Sequence, residues 1–77
     1  MMNYKDRISS NHRVMLGKPV IRGTRITVEL VLRKLSEGAT TADLLDMYPI
    51  LQQEDVIAAL MYASEVLANE EVIELGK

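Results

Sequence analysis

The chain has 77 residues, 48% of them hydrophobic, with no cysteine and a formal net charge of −2. These values exclude a second domain, an intrinsically disordered chain and a disulfide-stapled scaffold. The net charge conceals two halves of opposite sign, because residues 1–34 carry +6 and residues 35–77 carry −8.

The first half of the chain predicts a small β-hairpin. Two short β-branched runs flank Gly23 and Thr24, and glycine at the first position of a two-residue loop is typical of a type II′ turn. Pro19 suits the start of an edge strand because it cannot donate a hydrogen bond to a neighbour. The runs that predict strands cover residues 14–16, 20–21 and 26–28.

Three helices are predicted in the rest of the chain. Thr27 is the expected N-cap of the first helix, which Gly38 ends. Thr40 and Asp43 have the spacing of a capping box at the start of the second helix, which ends before Pro49. The third helix runs from about residue 53 to residue 67. Its predicted buried stripe consists of apolar residues at helical spacing: Val56, Ile57, Leu60, Ala63 and Leu67.

This order of elements predicts a mainly α fold, with an N-terminal β-hairpin plus a three-helix winged or homeodomain-like helix-turn-helix. We expect residues 1–13 to form an N-terminal arm that supplies at most one short strand. Residues 14–67 form the hairpin and three-helix domain, and residues 68–77 form an acidic C-terminal tail with an apolar centre.

The hairpin tip favours an anion-binding site. In a two-residue hairpin Arg22 and Arg25 would face each other, and like charges in that position destabilise a strand pair unless an anion lies between them. The alternative is that these exposed arginines bind no ligand and only keep the edge of the hairpin soluble. The predicted DNA- or anion-binding residues are Lys18, Arg22, Gly23, Thr24, Arg25, Arg33 and Lys34.

The third helix has the wrong surface for insertion into a DNA groove. No Lys or Arg lies between residues 52 and 67, and Glu54 and Asp55 would approach the phosphates at the first turn of the helix. Its predicted outer face carries Glu54 and Glu65 together with an apolar patch, and Tyr and Met are enriched at protein interfaces. We therefore expect a homodimer interface formed by Ala58, Met61 and Tyr62.

The acidic tail offers a second apolar cluster. Val72, Ile73 and Leu75 either dock back on the domain or bind a partner protein, and a solvated, frayed end is the alternative. The acidic residues around them would suit a basic surface on such a partner.

The types of side chain in this sequence argue against an enzyme. His12 is the only histidine and cysteine is absent, so neither a metal site nor an activated nucleophile has its usual set of groups. The longest apolar run, residues 56–63, is far shorter than the ~20 residues of a membrane span. We expect a cytoplasmic protein without catalytic residues, metal, cofactor, small-molecule substrate or membrane contact.

The run Gly-Lys-Pro-Val-Ile-Arg-Gly-Thr-Arg-Ile at residues 17–26, followed by Tyr48-Pro49 and Glu54-Asp55-Val56, resembles the domain-of-unknown-function 433 family. The resemblance covers residues 17–65. It implies a small bacterial or archaeal helix-turn-helix domain, of a kind often encoded beside a PIN-like nuclease toxin and proposed as its antitoxin. The family usually has Thr before the third helix, where this chain has Gln52, which predicts a weaker cap.

These observations lead us to expect a homodimeric, DNA-binding antitoxin and autorepressor of a type II toxin-antitoxin system. Its expected partners are operator DNA and a PIN-like nuclease toxin, whose basic cleft the acidic tail with Val72, Ile73 and Leu75 would cover. The alternative is a protein-interaction module that dimerises or binds a toxin without touching DNA, which the acidic third helix favours.

Overall fold

The structure is a computed structural model that describes residues 3–10 and 17–69. A 3₁₀-helix (Tyr4–Asp6) and strand β1 (Ile8–Ser9) precede strand β2 (Val20–Ile21). Helices α1 (Val28–Ser36), α2 (Thr41–Met47) and α3 (Gln53–Asn69) follow. The described part of the chain therefore confirms the predicted mainly α fold, with an N-terminal hairpin and three helices.

The hairpin pairs different segments from those predicted. β1 and β2 are antiparallel, with Ile8 opposite Ile21 and Ser9 opposite Val20. The predicted strand over residues 26–28 contributes only an isolated bridge between Thr27 and Val20, because α1 begins at the next residue. The predicted strand over residues 14–16 lies outside the described residues.

The predicted two-residue turn was also wrong. The amide of Ile21 donates to the carbonyl of Ile26 at 2.9 Å, which leaves a four-residue loop between them. Within that loop the Thr24 amide donates to the Ile21 carbonyl at 3.0 Å, and Gly23 has a φ of 84°. Gly23 is thus the third residue of the turn, where type II geometry requires positive φ, and Arg22 and Arg25 are not a cross-strand pair.

The starts of the first two helices follow local sequence signals, as predicted. The Thr27 hydroxyl accepts a hydrogen bond from the Leu30 amide at 3.0 Å. Thr40 and Asp43 form a complete capping box, with bonds of 3.1 and 2.9 Å. Gly38, with a φ of 104°, follows the end of α1 in the left-handed conformation that a helix C-terminus favours.

The start of α3 uses a different cap from the expected one. The Asp55 carboxylate accepts a hydrogen bond from the backbone amide of Gln52 at 2.8 Å. This bond is the carboxylate half of a capping box. The helix therefore begins at the predicted Gln53 without a hydroxyl at position 52.

A single apolar core joins the hairpin to all three helices. Its largest fully buried side chains come from β2, α1, α2 and α3, namely Ile21, Val31, Leu44 and Val56. Leu51 is buried in the turn between α2 and α3, where its amide donates to the Tyr48 carbonyl at 2.9 Å. This anchored turn completes the helix-turn-helix arrangement of α2 and α3.

The buried side of α3 was predicted incorrectly beyond Val56. Leu60 is 48% exposed and Leu67 is 63% exposed, whereas Ala58 and Ala59 are fully buried. Ile57 is also exposed and Ala63 is only half-buried. Ala58 and Ala59 instead join the core formed with β2, α1 and α2, where small side chains allow the helices to approach closely.

Residues 4–9, within the predicted N-terminal arm, supply the short strand β1 and pack on the domain. Ile8 is part of the core, and the Arg7 guanidinium donates to the Asp55 carboxylate at 2.9 Å. Asp55 is only 7% exposed, and its two oxygens are occupied by Arg7 and by the Gln52 amide. No helix within residues 3–10 and 17–69 is long and apolar enough to cross a membrane.

We predict that Asp55→Ala lowers the free energy of unfolding by about 2–3 kcal/mol, because it removes a helix cap and leaves Arg7 without its partner. Urea unfolding followed by circular dichroism measures this loss. The neighbouring Glu54 is exposed, and Glu54→Ala is expected to cost about 0.5 kcal/mol or less. Equal losses in the two variants would contradict the structural role of Asp55.

Candidate anion-binding surface

A shallow depression of about 280 Å³ lies beside the first turns of α1. It brings together three of the predicted anion-binding residues, Lys18, Arg25 and Arg33, which come from the segment before β2, the loop after it and the middle of α1. Thr27, Leu30 and Glu29 complete the lining. The depression is therefore a basic surface with one carboxylate inside it.

Glu29 holds two of the three cations. Its carboxylate accepts from Lys18 Nζ at 3.2 Å and from Arg33 Nη2 at 2.8 Å. The hydrogen bond and charge of Lys18, followed by the charge of Arg33, lower the pKa of Glu29 below its ordinary value of 4.5. Both ion pairs are therefore present at neutral pH and are lost as the pH falls through that lowered pKa.

Arg25 is the cation that remains available. It is exposed, and within residues 3–10 and 17–69 no carboxylate lies within ion-pair distance of it. Sequence reasoning missed Glu29 as a member of this site. The four-residue spacing between Glu29 and Arg33 predicts their ion pair from the sequence. The contact between Glu29 and Lys18 depends on the fold.

Arg22 has a structural role that sequence reasoning did not anticipate. Its guanidinium donates to three backbone carbonyls of the N-terminal segment, at 3.0–3.1 Å, namely those of Lys5, Asp6 and Ile8. Arg22 does not line the depression that holds Lys18, Arg25 and Arg33. Arg22 therefore holds the 3₁₀-helix and β1 against the loop after β2.

The donors predicted at the hairpin tip are largely engaged inside the loop. The Thr24 hydroxyl donates to the Ile21 carbonyl at 2.8 Å and accepts from the Ile26 amide at 2.9 Å. Gly23 is exposed beside Thr24, at the rim of a wider depression that Ile50 also lines. Lys34, the last predicted anion-binding residue, is half-buried on α1 and does not line the basic depression.

The predicted dimer patch does not exist as one surface. Ala58 is fully buried, and Tyr62 is half-buried with its ring edge-on to Tyr4 at a centroid distance of 6.1 Å. Met61, which is 37% exposed, lies instead beside Ile57 and Leu60. We call Ile57, Leu60 and Met61 the α3 outer face.

The predicted toxin-binding residues Val72, Ile73 and Leu75 lie outside the described residues. Within the described ranges, no group of three or more His, Cys, Asp or Glu side chains has the arrangement of a metal site.

The fold and the surface define a small helix-turn-helix domain with a basic depression at one end of its first helix. The family model described as a protein of unknown function, DUF433, matches residues 8–63. The chain therefore belongs to the domain-of-unknown-function 433 family.

A solved structure supports the same assignment. The chain is similar to the crystal structure of a DUF433 member protein from Anabaena variabilis ATCC 29413, with 34% sequence identity and a TM-score of 0.76. The similarity covers 79% of this chain and 60% of that one. No curated protein matches the chain significantly.

Arg22 and Arg25 provide a matched test of structural and surface roles. We predict that Arg22→Ala lowers the free energy of unfolding by about 1–3 kcal/mol, because it removes three charge-assisted hydrogen bonds to the backbone. Arg25→Ala is expected to change it by no more than about 0.5 kcal/mol. Urea unfolding of both variants is the measurement, and a larger loss in Arg25→Ala would refute this division of roles.

Proposed function

We propose that the protein is a DNA-binding antitoxin and autorepressor of a type II toxin-antitoxin system that neutralises a PIN-like nuclease toxin. The observation that carries the DNA-binding part is the convergence of Lys18, Arg25 and Arg33 on one depression. Membership of the family and the helix-turn-helix arrangement of α2 and α3 support it. The toxin part rests on what the family resemblance implies.

The basic depression suits a phosphate group of the DNA backbone. A phosphate replaces Glu29 as the counter-anion of Lys18 and Arg33, and Arg25 adds a planar fork that matches phosphate oxygens. The positive end of the α1 dipole lies at the same place. Binding of this kind positions the protein on DNA with little dependence on sequence.

Sequence readout in this proposal falls to the start of α3. Gln52 and Gln53 are exposed there and carry the amide groups that pair with adenine edges. No Lys or Arg lies between residues 52 and 69, so the remainder of α3 is poorly suited to a phosphate-lined groove.

The α3 outer face is the proposed homodimer contact. Ile57, Leu60 and Met61 follow the helical spacing of a packing seam, and each is more than a third exposed. A two-fold axis through this face presents two basic depressions to a palindromic operator. Met61 is the only residue retained from the predicted interface.

A second candidate is an interaction module that binds protein and not DNA. The observation that favours it is that Glu29 already pairs with Lys18 and Arg33. Of the three cations in the depression, only Arg25 has no carboxylate partner among the described residues. The exposed apolar side chains of α3 fit either candidate.

We predict that Arg25→Gln weakens binding to the duplex upstream of the protein's own gene and lowers the salt slope of log K by about 0.9, the value for one lost phosphate contact. Glu29→Gln is expected to strengthen binding, because it releases Lys18 and Arg33. Fluorescence anisotropy over a range of NaCl concentrations gives both quantities.

Lys5→Gln is the matched control for Arg25→Gln. It removes one exposed positive charge outside the depression and should leave the slope unchanged. If Arg25→Gln binds as wild type does, the depression is not the DNA site. If wild type does not bind duplex DNA at low salt, alone or with the neighbouring toxin, the interaction module is the better proposal.

We predict that Leu60→Glu converts the dimer to a monomer at micromolar concentration, because the new carboxylate would be buried at the two-fold contact. Size-exclusion chromatography with light scattering measures the mass. Met47→Glu is the control, since Met47 is exposed to a similar degree, 46% against 48%, but lies on α2. A Leu60→Glu protein that stays dimeric would show that the contact lies elsewhere.

A further inference from the structure

An open depression of about 550 Å³ lies between the loop after β2 and the turn that joins α2 to α3. It is lined by Gly23, Thr24, Arg25, Ile26 and Ile50. We call it the Ile50 depression. Arg25 also lines the basic depression beside α1, so the two surfaces meet at this residue.

The turn between α2 and α3 holds Ile50 at the surface. Ile50 is 60% exposed, whereas the next residue, Leu51, is 5% exposed and belongs to the core. The Leu51 amide donates to the Tyr48 carbonyl at 2.9 Å, which fixes the backbone on both sides of Ile50. A branched apolar side chain is therefore presented at a defined place, in the same depression as an arginine.

The loop side of the Ile50 depression is open and cationic. Arg25 is exposed, and none of the described residues that line the depression is acidic. Gly23 has no side chain, and nothing lies within 4 Å of the position that a Cβ atom would take there. A ligand can therefore approach the loop backbone closely, between an apolar side chain and a guanidinium group that no carboxylate in the lining neutralises.

The major groove of a DNA duplex offers the matching groups. Its backbone supplies phosphates for Arg25, and the C5-methyl group of thymine is the apolar group that base edges present in this groove. The minor groove presents no such methyl group. The exposed amides of Gln52 and Gln53 follow Ile50 closely in the chain, and amides of this kind pair with adenine, the partner base of thymine.

We propose that Ile50 contacts the C5-methyl group of a thymine in the major groove and makes the protein selective for A·T base pairs. Arg25 binds a phosphate where the two depressions meet, and Lys18 and Arg33 bind the backbone in the basic depression. This assignment rests on the proposed DNA-binding function and adds a specificity-determining residue to it.

The test compares two duplexes that differ only in the methyl group of thymine. One is the duplex upstream of the protein's own gene, and the other is the same duplex with deoxyuridine in place of every thymidine. At a fixed NaCl concentration, we expect wild type to bind the thymine duplex about fourfold more tightly for each methyl group that it buries. Fluorescence anisotropy measures both affinities, and equal values overturn the proposal.

Ile50→Ser separates a direct contact from an effect of the methyl groups on the DNA itself. We expect this variant to bind both duplexes equally, whereas Ile50→Val keeps a branched apolar side chain and most of the preference. Val66→Ser is the matched control, because Val66 is 41% exposed but lies about 20 Å along α3 from Gln53. A thymine preference that survives in Ile50→Ser contradicts the proposal.

The outcomes separate this assignment from the DNA-binding function on which it rests. If wild type binds both duplexes equally and Arg25→Gln still lowers the salt slope, the protein binds DNA and the role of Ile50 is wrong. If wild type binds neither duplex at low salt, alone or with the neighbouring toxin, the function and the assignment both fail. If Ile50→Ser loses toxin binding and keeps normal DNA binding, Ile50 belongs to a protein contact, which also refutes the assignment.

Discussion

The buried contact of Asp55 with Arg7 is the interaction on which the arrangement of the domain depends. It joins residues separated by 48 positions, and the same carboxylate receives the Gln52 amide at the start of α3. A carboxylate that is only 7% exposed destabilises a fold unless its oxygens are paired, and both are. This contact therefore holds the N-terminal segment on α3, whose buried side carries Ala58 and Ala59 in the common core.

The same constraint divides the positive charges of the first half into two groups. Arg7 and Arg22 are turned towards the protein, where they bind a carboxylate and three backbone carbonyls. Lys18, Arg25 and Arg33 line the depression beside α1. The charge of +6 in residues 1–34 therefore overstates what a DNA phosphate would meet, because part of it stabilises the hairpin.

Features set by near neighbours in sequence could be predicted, whereas features set by distant contacts could not. The caps at Thr27 and Thr40 depend on residues three positions away and were confirmed. The buried side of α3 depends on packing against β2, α1 and α2, and apolar residues occur on several sides of α3, so helical spacing alone selected the wrong stripe. In the candidate site, Lys18, Arg25 and Arg33 were predicted from local charge and from a hairpin geometry that the fold does not contain, and their role in anion binding stays a prediction. Glu29 was missed because its contact with Lys18 exists only in the fold.

Burial explains why two carboxylates with similar partners have different roles. Asp55 is enclosed, so its pair with Arg7 is costly to break and acts as a permanent support. Glu29 and its partners Lys18 and Arg33 are each more than half exposed. Water and salt screen ion pairs at such exposed positions, so breaking one costs little free energy. Loss of the two Glu29 ion pairs would therefore leave the buried Asp55 pair, and with it the fold, intact. The buried pair holds the N-terminal segment on α3, whereas the exposed pairs of Glu29 can break without unfolding the domain.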